Sequence, residues 1–432
     1  MSPCGKIPPL PHSFRRTACG TVAFALLLPL AACSAPPPAE YVTQIPWALV
    51  GPTIVMDSHS HTRYSDGALT VQEIAEKAAL NGCQALAITD HSDLSERAAT
   101  PAYFADIAAM RRALPEMLIF GGLEWNIPPY HGREHVTVLL DPALEAKLLP
   151  EFKQRYDRDD ADAGTALGWL AQQIGDPHRA VLFYNHPSRK DDSVEENLTD
   201  MRRWRAVNPL FVGFEGGPGH QRAAAPGSYE RKFTTEDRWD PLVAQVGGVW
   251  DQMLDAGQDI WAALASSDYH NEDMDYPPCS FSRTHVQAAD RSYRGVLKAL
   301  RAGSFWAEHG PLLDSFMFAV SVPGLPLPVT PGETVRIRRD TGVHLQIAIK
   351  RSSGSKDSPL TIEIIGNGRS GQPELLHTQT LAQNEESLVF DPQTLTAGAD
   401  GKSVYFRVRV RKIIDDGPDL LAYGNPIRLQ LR

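Results

Sequence analysis

Cysteine is scarce in this chain. Five stand in 432 residues, and three of them, Cys4, Cys19 and Cys33, lie close to the N-terminus. Cys83 and Cys279 remain in the body, which argues against a disulfide framework, and Cys83 reads as a core thiol. Long apolar runs are missing as well. The stretch VAFALLLPLAA, behind Arg15 and Arg16, has 11 residues and is too short to cross a bilayer as a helix. A basic surplus is also absent: 42 Lys and Arg face 52 Asp and Glu, a formal charge of −10. That balance argues against a nucleic-acid-binding surface, although a small anionic substrate stays compatible because bound cations reverse the local sign. No internal repeat is visible. What the chain has is an ordinary globular composition, 42% apolar and 22% charged, and enough length for two domains.

The short apolar run ends in LAAC, Leu30 to Cys33, and SAPPPAEY follows. A basic start, a short apolar stretch and small residues before a cut describe a secretory signal. A cysteine at the cut resembles the bacterial lipoprotein signal, which implies lipidation of Cys33, export and a membrane anchor. Residues 34–51 then read as a proline-rich tether.

From about residue 52 to 311 one pattern recurs. Six of seven apolar runs, TIVMDSHSH, ALAITDHSD, LIFGGLEWN, AVLFYNHP, LFVGFEGG and IWAALASSDYH, carry a histidine or carboxylate at or just past their end, while HVTVLL opens on its histidine, His135. Between the first two, Thr70 and Glu73 form a capping box for a helix whose apolar face is Val71, Ile74, Ala75, Ala78 and Ala79. Strands alternating with helices predict an α/β architecture with a largely parallel sheet, and in such barrels active sites gather at the C-terminal strand ends. After residue 312 the texture changes to period-two alternation, as in VHLQIAIK, LTIEIIG and VYFRVRVRK, which predicts an antiparallel β-sandwich over 312–432. Arg407, Arg409 and Arg411 share one strand face there and read as solvated.

Imidazoles and carboxylates collect at the strand ends. His59 and His61 sit at i and i+2, which lets both reach one ion, as do Asp268 and His270. Asp66, His91, Glu124, His135 and His186 complete the set, with His131 a rival to His135. Nitrogen and oxygen donors without thiolate suit Zn, Mn or Fe in an open, catalytic site. Asp57 and Asp90 read either as orienting ligand imidazoles or as capping local backbone. Glu215, in GFEGG, and His309, in AEHGP, read as structural.

These motifs, in this order, resemble those of the PHP (polymerase and histidinol phosphatase) superfamily. The resemblance implies a distorted (β/α)7 barrel with a di- or trinuclear centre. His59, His61, Glu124 and Asp268 would hold the first ion, and Glu124, His135 and His186 the second. Asp66, His91 and His270 would hold the third. Glu124, Asp268 and His61 are the residues expected to carry catalysis. The stretch RSYRGVLKALRAGSFWAEHGPLLDSF, the C-terminal domain and GNPIRLQL are similar to the branch that includes carbaryl hydrolase.

Clustered divalent ions acidify water to a pKa of about 7 and stabilise developing charge, so the expected function is metal-dependent phosphoester hydrolysis. A small phosphate ester is the expected substrate, and nucleic acid is not expected except as a nucleotide. Arg189 and Arg283 are candidate substrate contacts, and Tyr64 and Arg133 weaker ones. Carboxylester or carbamate hydrolysis by the same ions is the alternative. A non-catalytic, surface-anchored binding protein is a third reading.

Overall fold

A computed structural model of the chain describes residues 39–128, 134–158, 160–189, 193–207, 209–219, 238–339, 341–368, 370–382, 387–390, 403–415 and 419–432. Cys33, His131 and Arg133 lie outside the described residues. The described chain opens with a strand, Ala39–Thr43, paired antiparallel with Thr334–Ile337. The expected tether therefore stops well short of residue 51. Backbone donors and side chains in this stretch have partners in the fold: Ile45 N–H donates to Glu333 at 2.7 Å and the Tyr41 hydroxyl to Leu327 O at 2.8 Å.

Apolar runs become strands where turn residues bound them. Thr53–Asp57, Ala85–Ile88 and Leu118–Gly121 lie side by side in parallel. All four residues of Ala85–Ile88 are buried, as a strand covered on both faces requires. The helix Val71–Leu80 carries the capping box, with Val71, Ile74, Ala75 and Ala78 buried, while Ala79 turns to solvent. The strands are mixed in direction rather than largely parallel, and the next four form a separate sheet. Leu123–Asn126 runs antiparallel to His135–Leu140, which runs antiparallel to Ala180–Tyr184, and Phe211–Phe214 joins the last in parallel. The connection from Asn126 to His135 is too short for a crossover helix, so the chain turns straight back.

The run IWAALASSDYH is not a regular strand. It touches its neighbours through isolated parallel bridges, Gly213 to Trp261, Gly217 to Ala265 and Ser60 to Tyr269. Glycines permit this approach: a Cβ at Gly213 would lie 1.9 Å from Trp261 O, and one at Gly219 1.9 Å from Ser267 O.

The eleven-stranded sheet crosses the expected boundary at residue 312, because Leu420–Leu431 pairs with Phe305–His309. Leu360–Gly366, Glu374–Leu381 and Ser403–Lys412 extend that sheet antiparallel, while Leu313–Ser321, His344–Arg351 and Ser387–Phe390 form a separate three-stranded sheet. Phe318, Leu345 and Ile347 of the three-stranded sheet share one apolar cluster with Ile362, Phe406 and Val408 of the eleven-stranded one. The architecture is thus mixed α/β.

Two further expectations are overturned. The arginine face is not solvated: Arg407 is fully buried, its Nε and Nη2 2.7 and 2.8 Å from the Asp251 carboxylate, and Arg409 pairs with Glu363. The helix Val249–Asp255 covers the strand there and supplies the counter-charge. Nor is Cys83 a free core thiol, since it is bonded to Cys279, 196 positions along the chain. No helix among the described residues is long and apolar enough to cross a membrane.

Candidate metal centre

His59 and His61 follow the strand Thr53–Asp57, and the alternation of side chains continues past its end. Between them Ser60 turns away and donates through Oγ to Ala87 O at 2.8 Å. The backbone is held from behind by Asp57, which accepts from His59 N at 3.2 Å, Ser267 N at 3.1 Å and Cys279 N at 3.3 Å. Burial pushes the Asp57 carboxyl up to about 6 against these hydrogen bonds. Asp90 likewise accepts from Thr62 N and Ser65 Oγ, both at 2.7 Å. Both aspartates thus hold backbone amides and hydroxyls around the site.

Glu124, buried in the strand Leu123–Asn126, is the centre of the site. Its Oε1 lies 3.0 Å from His186 Nε2, 3.1 Å from His135 Nδ1 and 3.2 Å from His59 Nε2. Its Oε2 lies 3.0 Å from His91 Nδ1 and 3.3 Å from His61 Nε2. Asp268 Oδ1 is 3.2 Å from both His59 Nε2 and His61 Nε2. Asp66 Oδ2 is 3.3 Å from His270 Nε2 and 3.5 Å from His91 Nε2. All nine sequence-derived candidates thus meet in one connected cluster: His59, His61, Asp66, His91, Glu124, His135, His186, Asp268 and His270. His186 and Asp268 adopt positive φ, 28° and 45°. Such backbone is costly for residues other than glycine and collects at functional sites.

The cluster couples its charges strongly. Burial opposes protonation of His59, but Glu124, Asp268 and Glu215 together outweigh it and hold its pKa well above the ordinary value. Burial would raise Glu124, yet His135, His59 and His91 hold it well below the carboxylate range. His61 goes the other way, lowered by burial and then by His270 and His91. Asp66 is held far down, because His270 and His91 outweigh its burial.

This donor set fits divalent cations. His59, His61, Glu124 and Asp268 present four donor atoms within 4.8 Å of one another, and His61, Asp66, His91 and His270 do the same. His91, Glu124 and His135 form a further group, as do Glu134, His135 and His186. Hard oxygen with imidazole nitrogen suits Zn, Mn or Fe.

Other candidates fall unevenly. Arg189 reaches the cluster, its Nη2 2.8 Å from Asp268 Oδ2. The Arg283 guanidinium instead pairs with Glu308 on the neighbouring strand and makes no contact with the cluster among the described residues. The Tyr64 hydroxyl donates to Asp106 at 2.7 Å. Two carboxylates were passed over in the sequence. Glu215, read as structural, lies 3.0 Å from His59 Nδ1, and Glu134 lies 2.9 Å from His186 Nδ1. The signal for Glu215 was its place at the end of an apolar run, the same place the other candidates hold.

Residues 57–158 match the PHP domain. The chain is 38% identical over 79 residues to a "probable phosphatase" of Acetivibrio thermocellus, covering 18% of this chain and 33% of that protein. It is 37% identical over 110 residues to the 3′,5′-nucleoside bisphosphate phosphatase of Chromobacterium violaceum, covering 24% of this chain and 35% of that protein. The chain thus spans about a third of the length of these curated relatives. Among solved structures, it resembles a two-domain protein of Bacteroides vulgatus described as containing a predicted PHP-like metal-dependent phosphoesterase. There the TM-score is 0.44 and the identity 17%, over 88% of this chain and 96% of that one. A likeness this low carries no argument about activity.

Proposed function

We propose that this chain is a metal-dependent phosphoesterase of the PHP superfamily, built as a distorted (β/α)7 barrel followed by an antiparallel β-sandwich. The observation that carries the reading is Glu124, whose two oxygens lie within 3.3 Å of five imidazoles. A buried carboxylate so surrounded would serve as a shared ligand for cations held by those imidazoles. His59, His61, Glu124 and Asp268 would hold one ion, Glu124, His135 and His186 a second, and Asp66, His91 and His270 a third. Bound there, the ions supply Lewis acidity and acidify water toward a pKa of about 7. Arg189, beside Asp268, would take a phosphate oxygen through its guanidinium fork and orient the ester. The match of residues 57–158 to the PHP domain and the phosphatase names of the two relatives support this chemistry.

Purified protein given Mn²⁺ or Zn²⁺ should release phosphate from p-nitrophenyl phosphate or a nucleotide ester, and His59→Ala should abolish it. Naphthyl carbamate and ester hydrolysis, measured alongside, decides the narrower resemblance to the carbaryl hydrolase branch. Turnover of those substrates without phosphate release would replace the phosphoesterase reading.

We further propose that the protein is exported and held at a membrane by a lipid on Cys33. The LAAC motif motivates this, and the Cys83–Cys279 bond supports it, since disulfides persist mainly in oxidising compartments. Cys33→Ser should move the protein from the membrane to the soluble fraction, and unchanged fractionation would refute the anchor.

A further inference from the structure

His59 is flanked by carboxylates at both ring nitrogens. Nε2 faces Glu124 and Asp268 at 3.2 Å each, and Nδ1 faces Glu215 Oε1 at 3.0 Å. Glu215 is 1% exposed and follows the strand Phe211–Phe214. Its amide donates to Tyr184 O at 2.9 Å, and its Oε1 also accepts from the Ser266 hydroxyl. Ser266 in turn donates its amide to Gly217 O at 3.0 Å. The carboxylate is therefore fixed from two neighbouring segments before any ligand arrives.

A neutral imidazole carries one proton. With two carboxylates on the Nε2 side, that proton is drawn to Nε2, where it would block the lone pair a cation needs. An acceptor on the Nδ1 side reverses the preference. We propose that Glu215, braced by Ser266, is a positioning residue. It accepts Nδ1–H of His59, keeps Nε2 bare toward Glu124 and Asp268, and adds a buried negative charge that strengthens divalent-cation binding. His61 has weaker neighbours at Nδ1, Ser65 Oγ at 3.4 Å and Asp66 Oδ1 at 3.5 Å, so His59 is the imidazole this device governs. The inference rests on the metallohydrolase reading above. It differs from a ligand role because Glu215 Oε1 contacts the ring at Nδ1, whereas Glu124 and Asp268 meet it at Nε2.

The test titrates the full chain with Co²⁺ alone, following heat and visible absorption, for wild type, Glu215→Gln and Glu215→Leu. The near-isosteric Gln keeps an acceptor without the charge and guards against a folding failure of Leu. Leu should weaken Co²⁺ binding by about tenfold to a hundredfold, the range for orienting partners of ligand imidazoles. Gln should fall between Leu and wild type and, at saturating Co²⁺, keep the wild-type absorption band and KM. Equal affinity in all three proteins overturns the proposal. A Gln band changed in position or intensity at saturation also overturns it, since Glu215 would then be a ligand. Wild type that binds no Co²⁺ overturns the metallohydrolase reading, and this inference with it.

Discussion

His59 Nε2 and His61 Nε2 face each other across 3.0 Å. Asp268 Oδ1 stands 3.2 Å from both, and the Glu124 oxygens stand 3.2 and 3.3 Å away. A proton satisfies one donor–acceptor pair in such a group, while a divalent cation satisfies all of it. His61→Ala should therefore lower metal content by at least one ion per chain in elemental analysis. It should also cut phosphoester turnover by a factor on the order of 10³, roughly 4 kcal/mol of transition-state stabilisation. Unchanged metal content would count against the centre.

The Cys83–Cys279 bond is the second testable contact. It ties the segment after the helix Val71–Leu80 to the loop whose Cys279 N–H donates to Asp57. Denatured, unreduced protein should show neither of these thiols to a thiol reagent. Cys279→Ser should lower stability by about 2–5 kcal/mol, measured by urea unfolding. Equal midpoints with and without reductant would show that the bond contributes nothing.

A third prediction concerns acid. Burial holds His309 down to about 3, in an aromatic setting with Trp239 and Phe281 ring centres 5.2 and 5.5 Å away. The unfolded chain takes up this proton near pH 6.5, and the folded chain resists it until about pH 3. Its contribution is thus fully present above 6.5 and is lost as pH falls toward 3, by up to about 1.4 kcal/mol per pH unit. His309→Phe should flatten the melting-temperature profile between pH 6.5 and 4 relative to wild type. Parallel profiles would show that His309 titrates normally.

The fourth tests the buried pair Arg407–Asp251. Asp251→Asn should cost about 3–5 kcal/mol, because it strands a fully buried guanidinium 4.7 Å above the Trp250 ring. The double variant Arg407→Met with Asp251→Leu should recover most of that loss. A double-mutant cycle in urea reads the coupling, and additive losses would mean the pair does not act as a unit.

Much of the site was legible because its signals are local. His59 and His61 share a face by strand alternation alone, and Asp268 and His270 show the same spacing. The capping box of Thr70 and Glu73 is a four-residue feature, and it formed as read. Glu134 and Glu215 were missed because a carboxylate beside an imidazole is recognised only once the imidazole's position is known. Arg283 was misjudged for the same reason. Its neighbour in sequence, His285, and its partner Glu308 are set by the pairing of two antiparallel strands.

The sequence by itself determined the alternation of apolar runs with donor-bearing ends, the change of texture near residue 312, and the types of atom on offer to a cation. Those depend on local periodicity and side-chain chemistry. Tertiary structure alone decided that Cys83 meets Cys279, that Arg407 is buried on Asp251, and that Glu215 stands behind His59. Each of these joins groups more than 150 positions apart, as the separations of 196 and 156 record. Local propensity carries no information about which distant segment will pack there, since that is settled only when the whole core closes.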